Sequence, residues 1–278
     1  MREDQVLAQY QKNPRYLSKQ FIDSIPWDEV KKHPLPEKFI PIILYMRDIE
    51  AFTDIYYKQL IRTPTGQDPV IRKFMDRWLV EEATHAELLN RFLNEAGFDT
   101  SDRWFEEARQ NIPKGYRYSD TITPILGKIF GDRFAAVHMT WGAIQELSTL
   151  QGYKRLWELT GHPVLEYILK GIAKEESTHI FFYYTIAKIK LEESKFNQQL
   201  SRFMVKHFWQ PVGAGIKPKE DSNYIMKELF NGEDAMDIVK TNINGSIERL
   251  PGFEDFTAIT DRIGSITGSR PHSIQIAS

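Results

Sequence analysis

Apolar residues recur at spacings of three and four through most of the chain, the period of an amphipathic helix, and no stretch shows the alternation of a half-buried strand. The first long pattern, Glu37 to about Arg62, carries Phe39, Ile42, Ile43, Met46, Ile49, Phe52, Thr53 and Tyr56 on one stripe, with Pro41 tolerable only near the start. Thr63 to Gln67 reads as a turn, and Asp68-Pro69 as an N-cap followed by proline at the first helical position. The second helix then runs to Ala96, with Gly97 as its stop. A third pattern spans about Thr123 to Leu159, with a candidate break at Gly131-Asp132. Gly161-His162-Pro163 separates it from a fourth, Pro163 to about Glu193.

Shorter patterns flank this core. Val6, Leu7 and Tyr10, then Tyr16, Leu17, Phe21 and Ile22, form two amphipathic pieces separated by Asn13-Pro14. Trp27 to His33 adds a turn or two before Pro34 and Pro36 reset the chain. Thr100 to Asn111 predicts a short helix and Pro113 to Tyr118 a loop. After the fourth helix come an amphipathic stretch, Lys195 to Trp209, a Gly- and Pro-rich loop, Pro211 to Lys219, and helices near Asn223 to Phe230 and Glu233 to Leu250. The expected fold is all-α: a four-helix bundle core with additional N- and C-terminal helices. It forms a single domain over 1–263, with an arm at 1–35, the core at 36–193, added helices at 194–263 and a frayed Gly/Ser-rich tail at 264–278.

Composition narrows the partners. A formal net charge of −2 and a pI of about 6.4 give no global reason to bind nucleic acid or an anionic membrane. The absence of cysteine rules out disulfides, iron–sulfur ligation and thiol catalysis by this chain, leaving oxygen and nitrogen as metal ligands. The charged start Met-Arg-Glu-Asp-Gln shows no signal peptide, and the most apolar run, Phe39 to Met46, falls far short of the roughly 20 residues of a membrane span. A cytoplasmic protein is expected.

The chemistry lies in two repeats of one spacing. Glu82 and His85 sit three residues apart in the second helix, and Glu176 and His179 repeat the pattern in the fourth. Such a pair lies on one face, one turn apart, and converges on one cation. Glu50, on or beside the first stripe, and Glu146, after Trp141 and Gly142 in the third, add one carboxylate each, with Asp48 and Asp54 competing for the place of Glu50. A Glu-rich helix is ordinarily solvated, and a lone core histidine is ordinarily a satisfied hydrogen-bonder. Four glutamates and two histidines interleaved on four long helices instead match the ferritin-like di-iron arrangement, with one Glu from each of two helices and a Glu-x-x-His from each of the other two.

The surrounding residues resemble the soluble acyl-acyl carrier protein desaturases. The run Glu81-Glu-Ala-Thr-His-Ala-Glu-Leu-Leu-Asn-Arg-Phe-Leu93 is similar to that family's EENRHGDLLNKYL, Glu175-Glu-Ser-Thr-His179 to its DEKRH, and Gln145-Glu-Leu-Ser-Thr149 to its QERAT. Glu50 with Tyr56 six residues on resembles its TEEALPTY, and the likeness spans roughly residues 40 to 190. The resemblance implies two iron ions held by Glu50, Glu82, His85, Glu146, Glu176 and His179, with Glu82 and Glu146, or Glu146 and Glu176, as bridges. It implies a proton-delivery role for Thr149 and, for Glu175, orientation of a ligand imidazole through its other nitrogen. Trp27 is a candidate for the family's tryptophan on the electron-entry route.

By the same resemblance the reaction is oxygen-dependent removal of two hydrogens from adjacent methylenes of a carrier-bound acyl chain, with a ferredoxin-like electron donor and a homodimeric assembly. Met75, Trp78, Met139, Trp141, Gly142 and Ala143 are candidates for the acyl channel, though ordinary core packing explains each singly. Lys188, Lys190, Lys195, Arg202 and Lys206 are candidates for docking an acidic carrier protein, or simply a solvated face. The alternatives are another ferritin-like di-iron oxygenase, a hydroxylase or amine N-oxygenase acting on a small apolar substrate, and a non-enzymatic iron store, against which the extra helices speak.

Overall fold

A computed structural model describes residues 1–113, 116, 125 and 127–272. The described chain is helical throughout apart from turns and loops, with one isolated bridge between Ala214 and Lys217 and no strand. The elements are α1 (Glu3–Lys12), α2 (Lys19–Asp23), a 3₁₀ segment (Trp27–Lys32), α3 (Ile40–Ala51), α4 (Thr53–Leu60), α5 (Pro64–Gln67), α6 (Pro69–Glu95) and α7 (Trp104–Gln110). They continue with α8 (Phe134–Thr160), α9 (Pro163–Glu192), α10 (Lys195–Phe208), α11 (Lys219–Phe230), α12 (Glu233–Ile238), a π-helical segment (Val239–Asn244), α13 (Gly245–Glu248) and α14 (Ala258–Thr267).

The long helices start and stop where the local chemistry dictates. At the head of α6 the Asp68 carboxylate accepts the Val70 and Ile71 N–H groups at 2.8 and 3.1 Å, satisfying donors that have no partner inside the helix. Its far end closes with Gly97 at φ 93°, where the Gly97 N–H reaches Asn94 O at 3.0 Å and the Phe98 N–H reaches Leu93 O at 2.9 Å. Between α8 and α9, His162 caps the new helix by accepting the Leu165 N–H on Nδ1. Its Nε2 donates to the Val30 carbonyl at 3.2 Å, tying the arm to the core.

The first long pattern does not form one helix from 37 to 62. A 3₁₀ turn (Glu37–Phe39) leads into α3, and the axis breaks at Phe52 before α4. The break takes Phe52 out of the bundle stripe into a small separate cluster with Ala108 and Ile216, while Glu50 remains inside the bundle. The 3₁₀ turn Gly131–Arg133 precedes α8, at the expected interruption, and the expected start of that helix at Thr123 and most of the 113–118 loop lie outside the described residues. Nor does the chain fray from 264: α14 continues to Thr267, and the His272 N–H and ring Nδ1 reach Asp237 at 2.9 and 2.6 Å. Residues 273–278 of the expected tail lie outside the described ones.

Helices α8 and α9 pack along their lengths, α3 lies against α6, and α1 covers the seam between α6 and α9. A buried aromatic group fills this seam. Phe74 stacks on Phe182 at 3.9 Å between centroids and meets the edges of Tyr10 and Tyr183 at 5.0 and 4.9 Å. Below it lies a layer that is not apolar.

Candidate metal centre

Glu50, Glu82, His85, Glu146, Glu176 and His179 come together in the middle of the bundle, each no more than 6% exposed. Ligand-type atoms of Glu50, Glu82, His85 and Glu176 lie within 4.8 Å of one another, and so do those of Glu82, Glu146, Glu176 and His179. Glu82 and Glu176 belong to both groups. The shared pair is therefore not Glu82 with Glu146, nor Glu146 with Glu176; Glu146, like Glu50, serves one group only. The reason is positional: Glu82 and Glu176 each stand one turn before a histidine, on α6 and α9, and so lie between the two imidazoles.

Both imidazoles turn Nδ1 inward. His85 Nδ1 lies 3.1 Å from Glu82, 3.3 Å from Glu176 and 3.7 Å from Glu50, and His179 Nδ1 lies 3.1 Å from Glu82, 3.4 Å from Glu176 and 3.8 Å from Glu146. Their outer nitrogens cross over. His85 Nε2 sits 3.2 Å from Glu175 on α9, and His179 Nε2 sits 2.9 Å from Glu81 on α6. Glu175 thus stands behind His85, and Glu81, which the sequence analysis left unassigned, holds the equivalent place behind His179. The signal was present as a doublet of glutamates opening each repeat.

Two further side chains complete the layer. Trp78 donates its indole N–H to Glu146 at 3.1 Å, and Tyr153 donates its hydroxyl to Glu50. Tyr153 stands seven residues after Glu146, two turns along the same face of α8, a spacing from which it could have been read. Trp78 stands one turn before Glu82. Asp48 and Asp54 do not compete for the place of Glu50: Asp48 pairs with Arg47 and, at 2.7 Å, Lys217, and Asp54 pairs with Lys58 and Arg109. Thr149 is half-buried on α8, three residues past Glu146. Trp27 carries the Arg91 guanidinium over its ring at 4.0 Å, while the partners of Glu175 are His85, the Leu17 N–H and Arg15.

Four buried carboxylates in one layer demand positive charge. Burial, together with the charges of Glu82 and Glu176, pushes Glu50 and Glu146 well above the usual carboxylate range. Burial also opposes ionisation of Glu82 and Glu176, but a hydrogen bond from Glu50 and then the two imidazoles outweigh it at Glu82, and the imidazoles do so at Glu176, holding both below that range. The imidazoles are in turn raised: burial disfavours their charge, and the surrounding carboxylates overcome it. Glu81 is held at about 2, because His179, Tyr10 and Arg77 together exceed the cost of burial. Both oxygens of Glu176 and Nδ1 of His179 are buried without a hydrogen-bond partner. Such atoms are costly unless something binds them, and a carboxylate–imidazole donor set suits divalent first-row metals.

Fold and site together define an all-α protein whose buried Glu/His cluster is compatible with a metal centre. The family model for fatty acid desaturases matches residues 52–224, more than half of the chain, and the chain belongs to that family. Membership makes it an oxidoreductase of the desaturase type. The matched segment begins two residues after Glu50 and takes in the other five clustered residues. No curated protein and no solved structure matches the chain. Among the described residues no helix is long and apolar enough to cross a membrane.

Proposed function

We propose that the chain is an oxygen-dependent di-iron desaturase that introduces a double bond into a fatty acyl chain bound to a carrier protein. The observation that carries this reading is the pair of overlapping four-ligand groups sharing Glu82 and Glu176, all of whose residues but Glu50 fall inside the segment that matches the desaturase family. Glu50, Glu82, His85 and Glu176 would hold one iron, and Glu82, Glu146, Glu176 and His179 the other. Bound there, the two irons would supply the oxygen-activating, hydrogen-abstracting chemistry.

The residues of the chain have the remaining tasks. Glu81 and Glu175 fix the imidazole planes and keep the proton on Nε2, leaving each Nδ1 lone pair free for metal. Trp78 and Tyr153 orient the terminal carboxylates by donating to one oxygen of each. Thr149, one turn past Glu146, is the hydroxyl assigned to proton delivery. The apolar residues around the layer keep water away from it: Met75, Met139 and Ala143 are fully buried. Gly142 leaves no open channel, because the Tyr183 ring occupies the space its side chain would take.

Carrier docking is assigned to the exposed side of α10, where Lys195 and Lys206, near its two ends, flank the exposed Phe196 and Phe203. Lys190 and Arg202 drop out of that surface, since Lys190 pairs with Glu3 at 2.6 Å and Arg202 holds the carbonyls of Gly252 and Glu254. A ferredoxin-like donor, a homodimer and a cytoplasmic location complete the proposal. The test is to reduce the iron-loaded protein, add dioxygen and acyl carrier substrates, and weigh the chains. Loss of two hydrogens is the expected result. Gain of one oxygen atom would make it a hydroxylase instead.

A further inference from the structure

The two outer carboxylates have something in common beyond their crossed histidines: both are completed by the same short stretch of the N-terminal arm. Tyr10, on α1, donates its hydroxyl to Glu81 Oε2 at 2.6 Å, the oxygen that also faces His179 Nε2. Seven residues on, the Leu17 backbone N–H donates to Glu175 Oε1 at 2.9 Å, and Arg15 Nε lies 3.9 Å from the same oxygen. Arg15 also donates to the Thr84 hydroxyl at 2.7 Å, in the turn between Glu82 and His85. Glu81 and Tyr10 are fully buried and Glu175 and Leu17 nearly so, so the Tyr10 and Leu17 donors stand where bulk water cannot replace them, while Arg15 is partly exposed.

We propose that residues 10–17 form a clamp that sets the outer nitrogens of both histidines, Tyr10 acting on His179 through Glu81, and Leu17 with Arg15 acting on His85 through Glu175. The proposal rests on the two-metal reading above. A carboxylate behind a ligand imidazole orients the ring only if the carboxylate is itself held, and such outer partners typically matter 10–100-fold in metal affinity. Here Tyr10, Arg15 and the Leu17 amide come from outside the four long helices. Tyr10 is fixed in turn by the edges of Phe74 and Phe182 and by the Arg77 guanidinium 4.6 Å over its ring. Arg77 itself donates to Glu81 Oε1 at 2.8 Å.

The arm is seated independently of these bonds. Glu3 pairs with Lys190, and Phe21 packs onto α9 at Gly171, where any side chain would collide with its ring. Removing one clamp bond therefore leaves the arm docked. Because the arm holds the two carboxylates that orient the ligand imidazoles, docking and metal binding stabilise each other, and the coupling is reciprocal by linkage. Tyr10, Arg15 and the Leu17 amide are positioning groups; none of them touches the metal space.

The test compares Tyr10→Phe and Arg15→Met with the wild-type protein, all loaded with iron, by stepwise metal titration and Mössbauer spectroscopy, with the melting temperature of the metal-free proteins as control. Tyr10→Phe should weaken one of the two binding steps about 10-fold and shift the Mössbauer doublet of one iron. Arg15→Met, with the Leu17 bond still in place, should shift the doublet of the other iron with a smaller loss of affinity. Unless each variant, still folded in its metal-free form, shifts its own doublet, the clamp is overturned while the two-metal reading stands. Wild-type protein that fails to take up two irons would overturn that reading, and the clamp with it.

Discussion

Glu81, on α6, lies 2.9 Å from the outer nitrogen of His179, on α9, and holds it against the buried interior with help from Tyr10 and Arg77. Three neighbours depend on this one carboxylate: His179, Arg77 and, from the arm, Tyr10. Glu81→Leu would leave the His179 Nε2–H, the Tyr10 hydroxyl and the Arg77 guanidinium without their partner. Breaking a buried charged pair from one side costs about 3–5 kcal/mol. Urea unfolding of the metal-free variant should show a loss of that size; a loss within the noise of the measurement would mean that Glu81 is not structurally coupled as described.

Glu146 belongs to one four-ligand group and Glu176 to both. Glu146→Ala should therefore reduce iron from two per chain to one, with Glu50, Glu82, His85 and Glu176 intact, whereas Glu176→Ala should remove tight binding at both positions. Iron counted after desalting distinguishes these. Retention of two irons in Glu146→Ala would sink the assignment of that residue.

Gly142 on α8 exists for the ring of Tyr183 on α9. A Cβ there would overlap the buried, non-terminal ring atoms, so Gly142→Ala should destabilise the protein by about 1–3 kcal/mol through overpacking. A Gly142→Ala, Tyr183→Leu double variant should recover part of the loss, measured by thermal or urea unfolding.

His138 supplies a pH dependence separate from the metal layer. It is buried on α8 with Nδ1 2.9 Å from the Thr65 hydroxyl, and burial pushes its imidazole down to about 3. The folded protein keeps it neutral while the unfolded chain, with a pKa near 6.5, takes up a proton, so stability falls as pH drops below that value. Between pH 8 and pH 5 this group should remove about 2 kcal/mol, at about 1.4 kcal/mol per pH unit below the unfolded pKa. His138→Asn should flatten the stability profile by that amount over this window. An unchanged slope would contradict the buried neutral state.

The all-α class and the bounds of the long helices were legible because their signals are local: Asp68-Pro69 and Gly97 on α6, and Gly161 to Pro163 between α8 and α9, act within a few residues. The six clustered residues were legible because a Glu-x-x-His spacing repeats and because carboxylates on apolar stripes are costly. What escaped depends on chain segments distant in sequence. The break at Phe52 answers a cluster with Ala108 and Ile216 that no window around residue 52 contains. The sharing of Glu82 and Glu176 follows from how α6 and α9 face each other. Glu81 and Tyr10 are 71 residues apart, and no periodicity connects them.

The central claim is that the shared carboxylates of α6 and α9 hold two metal ions for desaturation, and the most direct measurement is the iron content of the wild-type chain, loaded anaerobically with ferrous ion and freed of excess. The account predicts two irons per chain, as its pair of overlapping ligand groups requires. One iron or none would contradict it, and so would the many irons per chain of a storage protein.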